Sequence, residues 1–329
     1  MDSLSQFLMG SAIGQIVIAP KHKGKGALIG GLAGSLPDLD ILPLMGSSIV
    51  TQLNHHRGFS HSIILCIIAP PLMAWLCKKW LSWSLSFKRW LAFWFLAFST
   101  HIVLDLMTTW GTQILWPFPT RFALDALFII DPLLTIPLLV GCLVAKYYRS
   151  ASPAVWGVGL ASIYMIWAFS AHAFSYHLFK EALNHRDISF ESFMVRPTPF
   201  NTLYWSVTAI TPEDELVMGY ARLWDSPEEV LFSLPIPQNS NLLTDVINRE
   251  DVSFMISITK GYYVIESNEA TLTIKDARFG RYGGWANIKN NRFVFNYVLD
   301  LSSYEWTQFR PPMPNAKLLV SSLIKNITH

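Results

Sequence analysis

The chain has 329 residues, of which 51% are hydrophobic, with 13 Trp, 21 Phe and a mean hydropathy of +0.32. Soluble domains rarely average so apolar, and a formal net charge of +2 at pH 7 is too small for a nucleic-acid-binding protein. Residues 1–179 hold six Asp and no Glu, while the other 17 acidic residues fall after 180, so the first part reads as membrane-embedded and the second as a water-soluble domain.

Apolar segments fall at about 7–20, 27–45, 62–77, 90–107, 126–145 and 154–179. The start of the chain has no basic n-region, so a cleaved signal peptide is not expected. A full span needs roughly 20 apolar residues; the last three segments qualify, 62–77 does with its flanks, and the first is short. The segment "GALIGGLAGSLPDLDILPLM" carries Gly, Pro and two Asp, which a lipid-facing helix does not tolerate unless protein or water covers it. It reads as a broken or re-entrant helix ending at Pro37. The expectation is a polytopic α-helical membrane domain of about five spans over 1–180, the broken helix included.

Basic residues set the orientation. Lys21, Lys23 and Lys25, then Lys78, Lys79, Lys88 and Arg89, then Lys146 and Arg149 occupy alternate loops, against Arg57 and Arg121 in the others. The positive-inside rule puts 21–25, 78–89 and 146–149 in the cytoplasm, and 38–61, 108–125 and everything after 180 on the opposite face. After 180 the period changes. "LYWSVTAI", "ELVMGYARL", "VSFMISIT", "YYVIES", "TLTIKDA" and "RFVFNYVLDL" read as strands, the last two flanking the Gly-rich "RFGRYGGWAN", and "NLLTDVINRE" (241–250) as a short helix. Residues 181–329 are therefore expected to form a small α+β domain with an antiparallel sheet. Cys66, Cys77 and Cys142 lie in apolar runs without metal or redox spacing and read as buried small hydrophobes.

Ionisable side chains in or beside spans are costly and are functional candidates by default. They fall in four clusters: Asp38 and Asp40 in "PDLD"; His55, His56, Arg57 and His61 in "HHRGFSH"; His101 and Asp105 in "HIVLD"; Asp125 and Asp131 in "LDALFIIDP". His101 and Asp105, four apart on a helix, share one face. That spacing suits two ligands of one metal, a His oriented by a carboxylate, or a buried hydrogen bond locking two helices. The assigned topology brings the first three clusters to one side of the membrane. Imidazoles and carboxylates together are a ligand set for zinc first, with Mn or Fe also suited. The metal candidates are Asp38, Asp40, His56, His61, His101 and Asp105, with Arg57 as anion holder and Asp40 or Asp105 as orienting group or base. A structural polar network is the alternative. His172 and His177, five apart, read as packing residues, and His22, His185 and His329 as surface ones. Asp131 before Pro132 is either a helix cap or an outer partner of the site. Gly111 and Pro117 in "TTWGTQILWPF" suggest a shaped loop over the site, with Trp110 and Trp116 at the interface.

The stretches "GSLPDLD", "HHRGFSHS", "HIVLDLMTTWGTQILWPF", "IIDPLL" and "PTPFNTLYW", in that order over about the first 205 residues, resemble the YdjM/YbcI-type inner-membrane proteins of bacteria, which carry a metal-dependent hydrolase label. The resemblance implies a polytopic inner-membrane protein with a metal site, and its motif positions here are Asp38, Asp40, His56, Arg57, His61, His101 and Asp105, with Thr109, Gly111 and Asn201 beside them. The leading expectation is a metal-dependent hydrolase of a phosphoester or lipid at the outer face of the inner membrane, with the C-terminal domain periplasmic. Membrane lipids are the expected surroundings and no nucleic-acid partner is expected. The alternative is a non-enzymatic membrane protein with a structural metal and a partner-binding C-terminal domain. A histidine-nucleophile lipid phosphatase lacks its Lys and second Arg here, and HExxH is absent.

Overall fold

The computed structural model describes residues 1–18, 25–81, 83–286, 292–313 and 315–328. Lys21, His22 and Lys23 of the first basic loop, and Asn287 of the Gly-rich stretch, lie outside the described residues. The chain divides into two compact units: Met1–Met45 with Asn54–Ser170 and Pro199–Asn201, and Gly46–Leu53 with Ala171–Thr198 and Thr202–His329.

The first unit is helical. Helix α1 (Ser3–Val17) starts at Asp2, whose carboxylate accepts from the Ser5 amide at 2.9 Å, a standard N-cap. It packs on α2 (Lys25–Ser35) through glycines spaced four apart on each helix. A Cβ on Gly10 would collide with the Gly30 carbonyl and stand 2.9 Å from Gly34 Cα; one on Gly14 would collide with the Gly26 carbonyl. The seam is therefore backbone against backbone, an approach only glycine allows. Helix α2 stops at Ser35, and the chain bends by 55° into a 3-10 stretch, Pro37–Leu44. Pro37 has no amide hydrogen to continue the helical ladder, so the break falls where the sequence placed it.

After the short helix α3 (Ile49–His55), most of which belongs to the second unit, and a 3-10 turn, Phe59–His61, come α4 (Ile63–Trp80), α5 (Phe87–Leu106), α6 (Pro132–Tyr148) and α7 (Ser152–His185), the last running on from Ala171 into the second unit. Ser62, Ser86 and Asp131 cap α4, α5 and α6 through their side-chain oxygens. Asp131 also accepts from the Tyr164 hydroxyl at 2.8 Å, so the cap reading of that residue is the one its contacts support. Gly141 of α6 and Gly157 of α7 repeat the close-approach device. Trp90, Phe93, Leu104, Leu134 and Leu138 fill the interior, while Ile67, Ile166 and Trp156 point outward and are well exposed. Apolar side chains on the outer face of helices suit a lipid rather than an aqueous surround. Helices α4 and α7 are long and apolar enough to cross a membrane, and α2 with its 3-10 extension makes a third if the bent pair counts as one span. Length and composition thus support two or three spans among the described residues.

The second unit holds two antiparallel sheets. In the first, β1 (Ser192–Pro197), β2 (Tyr204–Ile210), β3 (Glu215–Arg222) and β4 (Leu231–Phe232) follow in order, with β5 (Ile236–Pro237) also on β3. The second runs β6 (Tyr263–Ser267), β7 (Thr271–Arg281), β8 (Phe293–Asp300) and β9 (Trp306–Phe309). Helices α8 (Glu250–Ile258) and α9 (Ala316–Thr328) complete it. Two expectations are corrected here. "VSFMISIT" is not a strand but the body of α8, with Val252, Met255 and Ile258 buried at a spacing of three. "NLLTDVINRE" is not a helix but a 3-10 turn, Ser240–Leu243, followed by turns until α8 begins. A short apolar run fits either period, and only its packing partners decide. Ile265, Ile274, Tyr297 and Leu299 form one face of the second sheet and pack with α8. Within β7, Asp276 is fully buried and is gripped by Arg278: Nε lies 3.0 Å from Oδ1, Nη2 2.7 Å from Oδ2, and the Arg278 amide adds a bond of 3.1 Å. Beside the first sheet, His172 Nε2 donates to the Val195 carbonyl (3.2 Å) and its ring lies against Trp205, consistent with packing.

Candidate metal centre

The site is assembled from three stretches of the first unit. His101 and Asp105 sit one turn apart near the end of α5, both buried. The bend after α2 delivers Asp38, and the 3-10 turn before α4 delivers buried His61. One ligand atom from each of Asp38, His61, His101 and Asp105 lies within 4.8 Å of the other three.

The hydrogen bonds around the two rings decide what they present. His101 Nδ1 is 2.6 Å from the Gly34 carbonyl, which only accepts, so Nδ1 carries the hydrogen and the neutral ring turns the Nε2 lone pair inward. Ser60 gives its hydroxyl hydrogen to Asp40 Oδ2. Its oxygen, 2.8 Å from His61 Nδ1, is then the acceptor, and His61 Nε2 is likewise a lone pair. These two Nε2 atoms are 3.0 Å apart. Asp38 Oδ1 lies 3.3 and 3.4 Å from them, and Asp105 Oδ2 3.2 and 3.8 Å. Four electron-rich atoms facing one point repel unless a cation lies among them. Tetrahedral ligands about 2.0–2.2 Å from an ion stand roughly 3.3–3.6 Å from one another, so the donor set and its spacing fit a small divalent cation.

Asp105 is held from behind. Its Oδ1 accepts from Gln6 Nε2 at 3.1 Å and lies against the Met1 amino group, while the same Gln6 nitrogen reaches the His101 carbonyl at 3.2 Å. Its Oδ2 is 3.2 Å from Arg57 Nε, yet neither atom has an aligned hydrogen-bond partner among the described residues. Both are aimed past each other. Arg57 is almost fully buried and adopts a left-handed backbone, φ +61°, with its amide donating to Asp40 Oδ2 at 3.1 Å and its carbonyl accepting from Gln113 at 3.0 Å. Arg121 braces the same turn by donating to the His56 and Asn54 carbonyls, both at 3.1 Å. Gly111, at φ +87°, carries no Cβ where Arg121 passes; one built there would lie 3.1 Å from the Arg121 Cβ.

Of the six metal candidates, four converge and two stand beside them. Asp40 Oδ1 is 2.7 Å from His56 Nδ1, and its other oxygen serves Ser60, the Arg57 amide and, at 3.6 Å, His61 Nδ1. Asp40 thus stands behind the His61 ring, joined to it through Ser60, with His56 as its half-buried companion. His55 is exposed, and Thr109 and Asn201 lie outside the group of four. Sequence reasoning missed Gln6 and Ser60. A lone amide in the apolar run "SQFLMG" was the available signal for the first, and a hydroxyl between two motif histidines for the second.

The Bacillus subtilis protein YfhP, described as uncharacterized, is 30% identical to this chain over 185 residues, covering 50% of this chain and 51% of that protein. The Escherichia coli inner membrane protein YbcI is 29% identical over 111 residues, 34% of this chain and 61% of that protein. The chain therefore spans about half to three-fifths of the length of these curated relatives. No solved structure matches. The family profile described as YdjM inner membrane protein matches residues 1–175, which contain every residue of the cluster, and the chain belongs to that family.

Proposed function

We propose that the chain is a membrane-embedded, metal-dependent hydrolase of a phosphoester or lipid, working at the outer face of the inner membrane. The observation that carries this reading is the convergence of two imidazole lone pairs and two carboxylates beside a buried, incompletely paired arginine. Asp38, His61, His101 and Asp105 hold the ion; an N2O2 set favours zinc, with Mn or Fe as the alternatives to be tested. When bound, such an ion supplies Lewis acidity, lowering the pKa of a water and polarising a phosphoryl oxygen.

The chain's own groups do the rest. Gly34 and the Asp40–Ser60 pair fix the two histidine tautomers, so neither ring must reorganise during a reaction. Arg57, whose Nε is not spent on an aligned hydrogen bond, receives the substrate's anionic oxygens through its planar fork. His56, hydrogen-bonded through Nδ1 to Asp40, is half-buried and takes up or returns the proton at Nε2. The fuller topology of about five spans, with α5 and α6 crossing alongside α4, α7 and the broken α2 and with residues after 180 periplasmic, belongs to this proposal and rests on the basic-loop pattern.

The test is metal content by mass spectrometry together with hydrolysis of a panel of phospholipids and phosphomonoesters by the purified protein. His61→Ala and His101→Ala are expected to lose both metal and activity. Full metal in both folded variants would refute the centre, and metal without any hydrolysis would leave the structural-metal reading in its place. A reporter fused at the C-terminus should respond as periplasmic; a cytoplasmic signal would reverse the orientation.

A further inference from the structure

The second sheet of the C-terminal unit bears a cavity with basic residues on the face away from α8. Strand register places Val264, Lys275 and Asn296 in one cross-strand row and Glu266, Thr273 and Val298 in the next. Residues two apart on a strand share a face, so both rows look the same way, opposite the face that carries Ile265, Ile274 and Tyr297 into the core. The two rows floor a cavity of about 430 Å³, closed at one end by Arg281, Arg292 and Phe293.

Arg281 reaches that position through a break in register. Asp276 pairs with Phe295, but Arg281 pairs with Phe293, so extra residues of β7 bulge out and re-aim the end of the strand. Its guanidinium lies 4.8 Å over the Phe293 ring. Lys275 is neutralised by an ion pair with Glu266. Among the described residues no carboxylate pairs with Arg281 or Arg292, and the buried Nε of Arg281 has no hydrogen-bond partner. A buried donor without an acceptor is costly, and an oxyanion in the cavity would supply one. Apart from the arginines and the polar floor residues Lys275, Glu266, Thr273 and Asn296, the lining is apolar, with Val264, Val298 and Phe309 leading away from the two arginines.

We propose that this cavity binds an anionic amphiphile: an oxyanion headgroup, phosphate or carboxylate, on Arg281 and Arg292, with an apolar chain along Val264, Val298 and Phe309. The inference is independent of the metal centre. It is tested by calorimetry on the full chain in lipid nanodiscs, with hexyl phosphate, inorganic phosphate and hexyl glucoside as probes. Hexyl phosphate is expected to bind, and the double variant Arg281→Gln, Arg292→Gln to bind it about tenfold or more weakly. His61→Ala should bind it as the parent does, so failure of the hydrolase reading leaves this result untouched. Val298→Trp, which fills the cavity without touching a charge, should also abolish binding and decides the matter if the double variant fails to fold. Undiminished binding by either folded variant overturns the site. Hexyl glucoside binding as tightly removes the role of the anion, and inorganic phosphate binding as tightly removes that of the chain.

Discussion

Asp105 and Asp276 are both fully buried, and each has an arginine nitrogen within 3.2 Å. Around Asp276 every oxygen is taken: the Arg278 fork and amide close on it, and the pair needs nothing further. Around Asp105 the inward oxygen and Arg57 Nε sit at ion-pair distance without alignment, and two histidine nitrogens crowd the same point. A buried charge pair that stabilises a fold is satisfied internally; one that serves a ligand keeps its atoms aimed at a third place. The same residue types thus make a structural clasp in one unit and, on the proposed reading, an open socket in the other.

That contrast can be broken in several ways. Asp105→Ala should reduce metal affinity more than about 100-fold, beyond the 10–100-fold expected of an outer partner; unchanged metal content would make the socket another clasp. Arg278→Ala should leave metal content intact and destabilise the C-terminal unit by about 3–5 kcal/mol, because it strands a buried carboxylate. Tryptophan-monitored unfolding in denaturant reads that loss, and a change below about 1 kcal/mol would refute it. Asp40→Asn, behind His61, should weaken metal binding by about 10–100-fold without unfolding the chain, measured by competition with a chelator. The smallest effect concerns Asp300, at the end of β8. The Ser302 hydroxyl and the Ser303 and Ser302 amides bond to it and hold its carboxyl down at about 2, from an ordinary 3.8. A depressed pKa in the folded state means its stabilisation is complete above the ordinary value and is lost as pH falls through the folded one. Asp300→Asn should therefore flatten the stability profile between about pH 4 and pH 2 and leave neutral pH behaviour similar; an unchanged acid limb would show the loop bonds carry no stability.

The candidate centre was partly legible because ionisable residues are conspicuous in apolar surroundings. All four converging residues stand among the motif positions, and the spacing of His101 and Asp105 alone announces a shared helix face. What could not be read was the division of labour within each motif. In the 3-10 stretch the side chains of Asp38 and Asp40 diverge, one toward the two Nε2 atoms and the other toward His56 and Ser60. Separating His61 from His56 likewise required the turn at Arg57. Gln6 contributes through packing of α1, which no local pattern encodes. In the C-terminal unit β2, β3, β6, β7 and β8 were legible from alternation, whereas β1 went unread and β4, β5 and β9 are too short to show a period. The α8 segment failed because its buried face became apparent only once the second sheet lay against it.

The glycine seam between α1 and α2 has one more consequence. Each helix contributes a contact to α5: Gln6 from α1 to Asp105 and the His101 carbonyl, and Gly34 from α2 to His101 Nδ1. The two arms of a calliper are thus joined by a hinge with no side chain in it, and the opening of the jaws is the thickness of two backbones. Adding one methyl at Gly14, where a Cβ meets the Gly26 carbonyl, would widen the jaws without altering any ligand. On the proposed metal reading, the size of ion that Asp38, His61, His101 and Asp105 accept would then be gauged at the far end of these helices.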